Sequence, residues 1–240
     1  RVPHNPMETP ERPELVIDLH DGSNEQISII IVHYNRPEYL NICLQSIYIM
    51  SNLNNFEVIV VDNNSNQESQ EYLDVIEQEG VKVVRLKENN YWSAAANRGA
   101  SVADANSKYL VFMHCDTVVL NQSWLDILVN ISEAKNSGLV GTALQTYWIS
   151  KQKVDYIQEW CMLLTRECWN DCGPWPEELP LIGNAFIVTI KAQMKGYKPT
   201  AMTNNLVHHY RAASFNPNDY EMISEKAMLI VPKLMHAARA

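Results

Sequence analysis

Residues 27–47, ISIIIVHYNRPEYLNICLQSI, decide the fold. Ile27–His33 is a nearly unbroken β-branched run, the composition of a strand buried on both faces. Pro37 then opens a stretch in which Leu40, Cys43, Leu44 and Ile47 recur at helical spacing, and proline suits a first helical turn. The alternation repeats downstream. Phe56–Val61 (FEVIVV) reads as a second buried strand, followed by a helix from Gln67 to Glu79. Val81–Leu86 (VKVVRL) is a third strand, Tyr91–Ala105 an alanine-rich helix and Tyr109–Met113 (YLVFM) a fourth strand. The expected class is α/β: a mostly parallel central sheet with helices on both faces.

The second half is less regular. Gly138–Gln145 is expected as a strand and Cys161–Trp169 as a short helix before the Pro/Trp turn CGPWPEELP. Asn184–Lys195 reads as a helix stopped by Gly196. Leu206–Ser214 (LVHHYRAAS) reads as a late strand, and Glu221–Arg239 as a terminal helix that Pro232 should kink or split. Residues 1–26 hold four Pro among many charges and read as an extension or linker.

Composition narrows the function. With 240 residues and 46% hydrophobic content, the chain builds a full core and is neither disordered nor fibrous. A formal net charge of −9 argues against gripping nucleic acid through its phosphates. The 8 Gly are about half the usual share, which disfavours a glycine cradle for phosphate. No apolar run reaches the roughly 18 residues of a membrane span. The five Cys are odd in number and scattered; only Cys168 and Cys172 share a helical face, so reduced thiols and a cytoplasmic setting are expected. Arg1 is not an initiator Met, so the sequence reads as a piece of a longer protein with possible neighbouring domains.

Ligands of parallel α/β sheets bind outside the carboxyl ends of the strands. Three polar clusters fall there: Tyr34-Asn35-Arg36, Asp62-Asn63-Asn64-Ser65 and His114-Cys115-Asp116. Any one is an ordinary polar turn; three on one sheet edge point to a binding crevice.

In order and spacing, ISIIIVHYNRPEYLNICLQSI, FEVIVVDNNSN, ENNYWSAAANRGAS and KYLVFMHCDTVV resemble the successive segments of glycosyltransferase family 2, from about Ile27 to Ser214. The resemblance implies a GT-A fold over residues 27–240. A nucleotide-sugar half would occupy 27–120, an acceptor half 121–220 and a C-terminal helix 221–240. It also implies a nucleotide-diphosphate sugar donor, UDP-linked by preference, and a hydroxyl acceptor, with a saccharide favoured.

Site residues follow from the resemblance. Asp62 would accept from the N3–H of uracil, with Asn64 beside it, although the same four residues also make an ordinary turn. Val32, Tyr34 and Arg36 would flank base and ribose, Arg36 either meeting phosphate or staying solvated. Trp92 stands for the family's Phe and Tyr91 for its Gly, and both would narrow the pocket or simply pack. Asn97 would shape the sugar site. The DxD motif is here His114-Cys115-Asp116, which keeps the second carboxylate. Asp116 and His209, from the late Val-x-His-x4-Ser element, would hold Mn²⁺ or Mg²⁺, with Mn²⁺ more tolerant of imidazole. Arg211 could pair with phosphate. Tyr147, Trp148, Trp160, Trp169 and Trp175 would either stack on a saccharide or pack in the core.

One departure stands out. The family's Glu-Asp pair falls on Asn184-Ala185, so the base that deprotonates the acceptor is missing from its usual place. Glu177, Glu178 and Glu159 are the candidate replacements, with Asp155 nearby. A displaced base, another stereochemical course, or a domain that binds nucleotide-sugar without turnover would each fit. A nucleotidyltransferase is disfavoured, because HYNRPEYL has no glycine.

Overall fold

The computed structural model describes residues 27–51, 55–135, 137–149, 152–202, 206–211, 223 and 227–233, with backbone only at 147–149 and 152–154. The 1–26 extension, the Ser214 end of the late strand and most of the terminal helix lie outside these residues. Of that helix, 223 and 227–233 are described and helical, with Pro232 inside the run.

β1 (Ile27–His33), α1 (Pro37–Met50), β2 (Phe56–Asp62), α2 (Gln67–Gln78), β3 (Lys82–Arg85), α3 (Tyr91–Val102) and β4 (Tyr109–His114) follow one another as expected. β1 lies at the centre, parallel to β2 and to β4. Alternate side chains feed two layers. Ile27, Ile29 and Ile31 pack with Leu40, Leu44, Leu73 and Ile76 of α1 and α2, while Ile30 and Val32 pack with Ala95, Ala96 and Ala100 of α3. Asn66 caps α2 by accepting from the Ser69 N–H at 3.0 Å. Gly99 lets α3 approach the sheet: a Cβ there would collide with Ile30 and reach within 3.0 Å of Val61. This is the physical meaning of the Asn97-Arg98-Gly99 pattern.

The chain continues through β5 (Thr117–Val119), α4 (Trp124–Lys135), β6 (Leu139–Gly141), β7 (Leu144–Ile149), β8 (Gln152–Ile157), β9 (Cys161–Thr165), α5 (Arg166–Cys172), α6 (Asn184–Met194), β10 (Thr200–Ala201) and β11 (Val207–His209). The main sheet has the order β10-β6-β9-β4-β1-β2-β3, with β9 antiparallel to both β4 and β6. Two expectations are corrected. The expected strand Gly138–Gln145 divides at Thr142-Ala143 into β6, inside the sheet, and β7, which pairs with β8 as a separate hairpin. The expected helix Cys161–Trp169 is β9 followed by α5. Cys161–Leu164 is buried on both faces between two strands, and that tertiary pairing overrides the helical spacing of its apolar residues. All five cysteines are free, and α5 brings the sulfurs of Cys168 and Cys172 to 4.0 Å. No helix of the described residues is long and apolar enough to cross a membrane.

Candidate functional site

The three polar clusters meet at the carboxyl edge of β1, β2 and β4. Register sets His33 beside Asp62, and Val32 beside His114 and Val61. The loop after β1 is latched to the loop after β2. The Asn35 N–H donates to Ser65 Oγ at 2.9 Å, and the Asn66 N–H donates to Asn35 Oδ1 at 2.8 Å. Asp62 is fully buried, accepting from the Ser65 N–H at 3.1 Å and from Gln70 Nε2 at 2.6 Å. Asn63 clamps the next loop: its amide donates to the Tyr91 carbonyl at 2.9 Å and accepts from the Asn90 N–H at 2.9 Å.

Asn35, Arg36, Asn64, Tyr91 and Arg211 all have left-handed backbones, with φ between 56° and 63°. Every such non-glycine among the described residues lies on a loop of this edge or, for Tyr91, at the first position of the helix that starts there. Tyr91 stands where the resemblance implies glycine, so an aromatic side chain is held in a conformation that only glycine adopts freely. Strain of this kind collects where function needs the side chain.

β4 ends at His114, whose N–H donates to the Trp160 carbonyl at 3.1 Å. The turn into β5 is closed by Thr117 Oγ1 donating to the His114 carbonyl at 2.8 Å. β11 pairs antiparallel with β5, His209 opposite Thr117, and the Tyr210 N–H donates to the Asp116 carbonyl at 2.9 Å. That pairing carries His209 across 93 residues of sequence to set its Nε2 3.1 Å from Asp116 Oδ1. His114 Nδ1 lies 4.0 Å from the same oxygen. One donor atom from each of His114, Asp116 and His209 lies within 4.8 Å of the others. Strand alternation exposes His208 and turns His209 inward. Trp160 lies flat on the His209 ring, centroids 5.1 Å apart at 15°.

Burial and the neighbouring His209 push the His114 imidazole down to about 3, against the opposing pull of Asp116, so it is neutral at physiological pH. A neutral imidazole is the metal-ligand form. One buried carboxylate and two imidazoles converging in this way form a donor set that fits a divalent cation.

The remaining expected residues divide. Tyr34 is half-buried and Arg36 and Arg211 are exposed on the rim, with Arg36 3.7 Å from Glu38. Cys115 is buried within the core cluster beneath α1. Asn97 bolts a loop: its amide donates to the Trp175 carbonyl at 2.9 Å and to Glu177 at 3.0 Å, and its oxygen accepts from the Trp175 N–H. Trp92 and Trp175 stand edge to face at 4.9 Å, with Phe112 and Trp169 against Trp175. Trp175 is fully buried, so it packs in the core and is not open to a saccharide. The side chains of Tyr147 and Trp148 lie outside the described residues.

Glu177 and Glu178 are exposed, and Asp155 accepts from Thr146 Oγ1 at 2.6 Å within the β7–β8 hairpin. Glu159, on the turn from β8 to β9, senses His209, and burial raises its carboxyl to about 7. Asn184, where the resemblance implies an acid, is fully buried. Its amide donates to Ser93 Oγ at 2.9 Å, and Ser93 donates on to the Leu179 carbonyl at 2.7 Å.

Sequence reasoning missed His33, which is fully buried with neither ring nitrogen partnered among the described residues. Its signal was a lone polar residue closing an apolar strand. It also missed the contact of Trp160 with His209, for which no local signal exists.

The family model described as "Glycosyl transferase family 2" matches residues 28–176, more than half of the chain. The O-antigen biosynthesis protein RfbC of Myxococcus xanthus is 21% identical over 225 residues, covering 79% of this chain but only 18% of its own length. This chain thus spans less than a fifth of that relative. Among solved structures, the mannosyltransferase PcManGT from Pyrobaculum calidifontis, in complex with GDP-Man and Mn²⁺, superposes with a TM-score of 0.64 at 14% identity. The match covers 90% of this chain and 73% of that one. GalNAc-T7 with UDP, GalNAc and Mn²⁺ gives 0.63 at 17% identity, covering 83% and 46%. At such identities the likeness establishes the fold, which is GT-A.

Proposed function

The chain belongs to glycosyltransferase family 2, and from that premise we propose that it transfers a glycosyl group from a UDP-linked sugar to a saccharide hydroxyl with a divalent cation at His114, Asp116 and His209. The observation that carries this reading is the convergence of Asp116 and His209, remote in sequence, beside the latched ends of β1 and β2. The solved relatives named above hold UDP or GDP-Man with Mn²⁺.

In this reading Asp62 accepts from the base, Val32, Tyr34 and Asn64 frame base and ribose, and Trp92 and His114 wall the sugar side, while Cys115, buried beneath α1, supports the turn from behind. Asn97 fixes the Trp175 loop behind it. Arg36 and Arg211 supply positive charge on the rim of an acidic domain, which favours a diphosphate. A bound divalent cation would act as a Lewis acid on the diphosphate leaving group. We assign the acceptor's proton to Glu159, which is electrostatically coupled to His209 of the cluster, whereas Glu177 and Glu178 are exposed. A carboxylate with its pKa near neutrality suits general-base work.

A second reading rests on Asn184. Its closed hydrogen-bond chain through Ser93 makes the family's base position structural, as in a domain that binds nucleotide-sugar without turning it over. A donor panel with Mn²⁺ separates the two. UDP release that requires both Asp116 and Glu159 supports transfer, and tight binding with no release supports the second reading. Failure of every UDP- and GDP-sugar to bind refutes both.

A further inference from the structure

Charge is unevenly divided along the chain. Residues 180–240 hold seven Lys or Arg against three Asp or Glu, a net +4, whereas residues 1–179 hold 12 against 25, a net −13. The basic part includes the terminal helix, whose described residues show two unlike faces. We propose that this helix and the carboxyl end of α6 form a docking face for an anionic lipid bilayer. The proposal goes beyond the transfer reading and does not depend on it.

One face of the helix is spent on the protein. Ala227 and Val231, four residues apart, are buried in one cluster with Leu179, Phe186, Ile187 and Ile190, and Ile230 packs against it. The opposite face has no such cover. Leu229 stands about 200° round the helix from Ala227. It is 70% exposed, more than any other large apolar side chain among the described residues, and Met228 beside it is 60% exposed. Lys233, one turn on from Leu229, is exposed on the same face. On α6, Met194 extends the stripe of Ile187 and Ile190 but is exposed, and the exposed Lys195 and Lys198 follow it.

Apolar side chains set among lysines suit a lipid surface. Leu and Met enter the acyl boundary, while the Lys stems snorkel and carry their charge to anionic headgroups. A protein partner is the poorer match, because protein interfaces are enriched in aromatic and Arg anchors and depleted in Lys. Exposed apolar residues elsewhere lack the charge: Ile42 and Ile49 lie on α1, which carries Glu38 and no Lys or Arg. The acidic remainder of the chain is repelled by the same lipid, so attachment through this face also fixes orientation. The helix rests on the start of α6, where a Cβ at Gly183 would meet Val231. The next residue, Asn184, bonds to Ser93 in the first turn of α3. Docking therefore brings the bilayer beside the carboxyl edge of the sheet.

The test is flotation of the whole chain with vesicles, without nucleotide or metal. Vesicles of phosphatidylcholine alone are compared with mixtures of phosphatidylcholine and phosphatidylglycerol. Binding is expected to be at least about 10-fold tighter to the anionic vesicles and to weaken as salt rises. Met228→Ser with Leu229→Ser should lower it at least about 10-fold, and Lys195→Glu with Lys198→Glu should do likewise. Ile42→Ser with Ile49→Ser should leave it unchanged. Binding to neither vesicle, or equal binding to both, overturns the proposal. Undiminished binding by either terminal variant, shown folded by circular dichroism, also overturns it. If the Met228 and Leu229 variant does not fold, the exposed lysines decide. A dimer that Leu229→Ser dissociates, in a chain that ignores vesicles, would assign the face to a second copy and overturn the proposal. Anionic-vesicle binding by a chain with no affinity for any nucleotide-sugar would leave this proposal standing and remove the transfer reading.

Discussion

At the amino-terminal edge of the central sheet a group of polar side chains around Glu57 satisfies itself. Ser28 Oγ bonds to Glu57 at 2.7 Å and to Ser107 at 2.7 Å, and the Asp104 N–H donates to Glu57 at 2.7 Å. Lys82 closes on Glu57 at 3.1 Å, while Arg166 donates to the carbonyls of Ser107 and Asp104. At the carboxyl edge of the same strands, His33 has neither nitrogen partnered, and His114 Nε2 and the indole N–H groups of Trp92 and Trp175 find no partner among the described residues. The left-handed non-glycines also crowd there. One edge is built for stability; the other retains unsatisfied donors and backbone strain, as ligand sites do.

That contrast can be broken from either side. The largest effect is expected at the carboxyl edge: Asp116→Asn should lower divalent-cation affinity and donor turnover at least about 100-fold, since even an outer-shell partner approaches that loss. Stability in urea should hardly fall. The amino edge should behave oppositely. Glu57→Ala removes an ion pair, leaves the Asp104 N–H unpaired and leaves Ser28 Oγ with Ser107 alone, destabilising the fold by about 3 kcal/mol while cation affinity stays unchanged. Urea unfolding beside calorimetry checks both.

Next comes pH. Burial lowers His33 to about 4 in the folded state, against 6.5 for the ordinary imidazole, with Asp62 only partly opposing. A depressed folded pKa gives stability that is whole above 6.5 and is lost as pH falls toward 4, about 3 kcal/mol in all. His33→Gln should flatten this part of the pH–stability curve; a curve identical to the wild type would show that His33 is not the titrating group. A smaller change is expected at Trp160. Trp160→Leu should weaken cation binding about 10-fold, as loss of a residue that orients a ligand does, and Trp160→Phe should restore most of it. Smallest of all, Arg36→Gly should raise stability by about 0.5 kcal/mol by relieving a left-handed backbone while weakening donor binding. A fall in stability would show that the strain at this edge is not real.

How much of this was legible in the sequence follows from contact range. β1 to β4 were readable because each buried strand and its helix announce themselves within about ten residues, and the clusters at Asp62 and Asp116 fall at strand ends fixed by those same patterns. β9 was misread because CMLL is apolar in any secondary structure; only pairing with β4 and β6 makes it a strand. His209 could be picked out from its neighbour His208 only by the family's spacing, since the β11–β5 ladder that aims it is non-local. Trp160 was noticed as an aromatic but its partner was not, because nothing near residue 160 encodes proximity to residue 209. Asn97 reads as a donor-site residue and Trp175 as an aromatic that stacks on a saccharide acceptor or packs in the core, yet the structure spends the polar groups of Asn97 on the Trp175 loop and buries the Trp175 ring.

The central claim is that the strained, unsatisfied edge is a cation-assisted nucleotide-sugar site. Anomalous diffraction at the manganese edge from crystals grown with Mn²⁺ and UDP tests it directly. The account predicts one strong peak within bonding distance of Asp116 and His209, with the uracil edge against Asp62. A nucleotide bound elsewhere, or a manganese peak remote from Asp116, would contradict it.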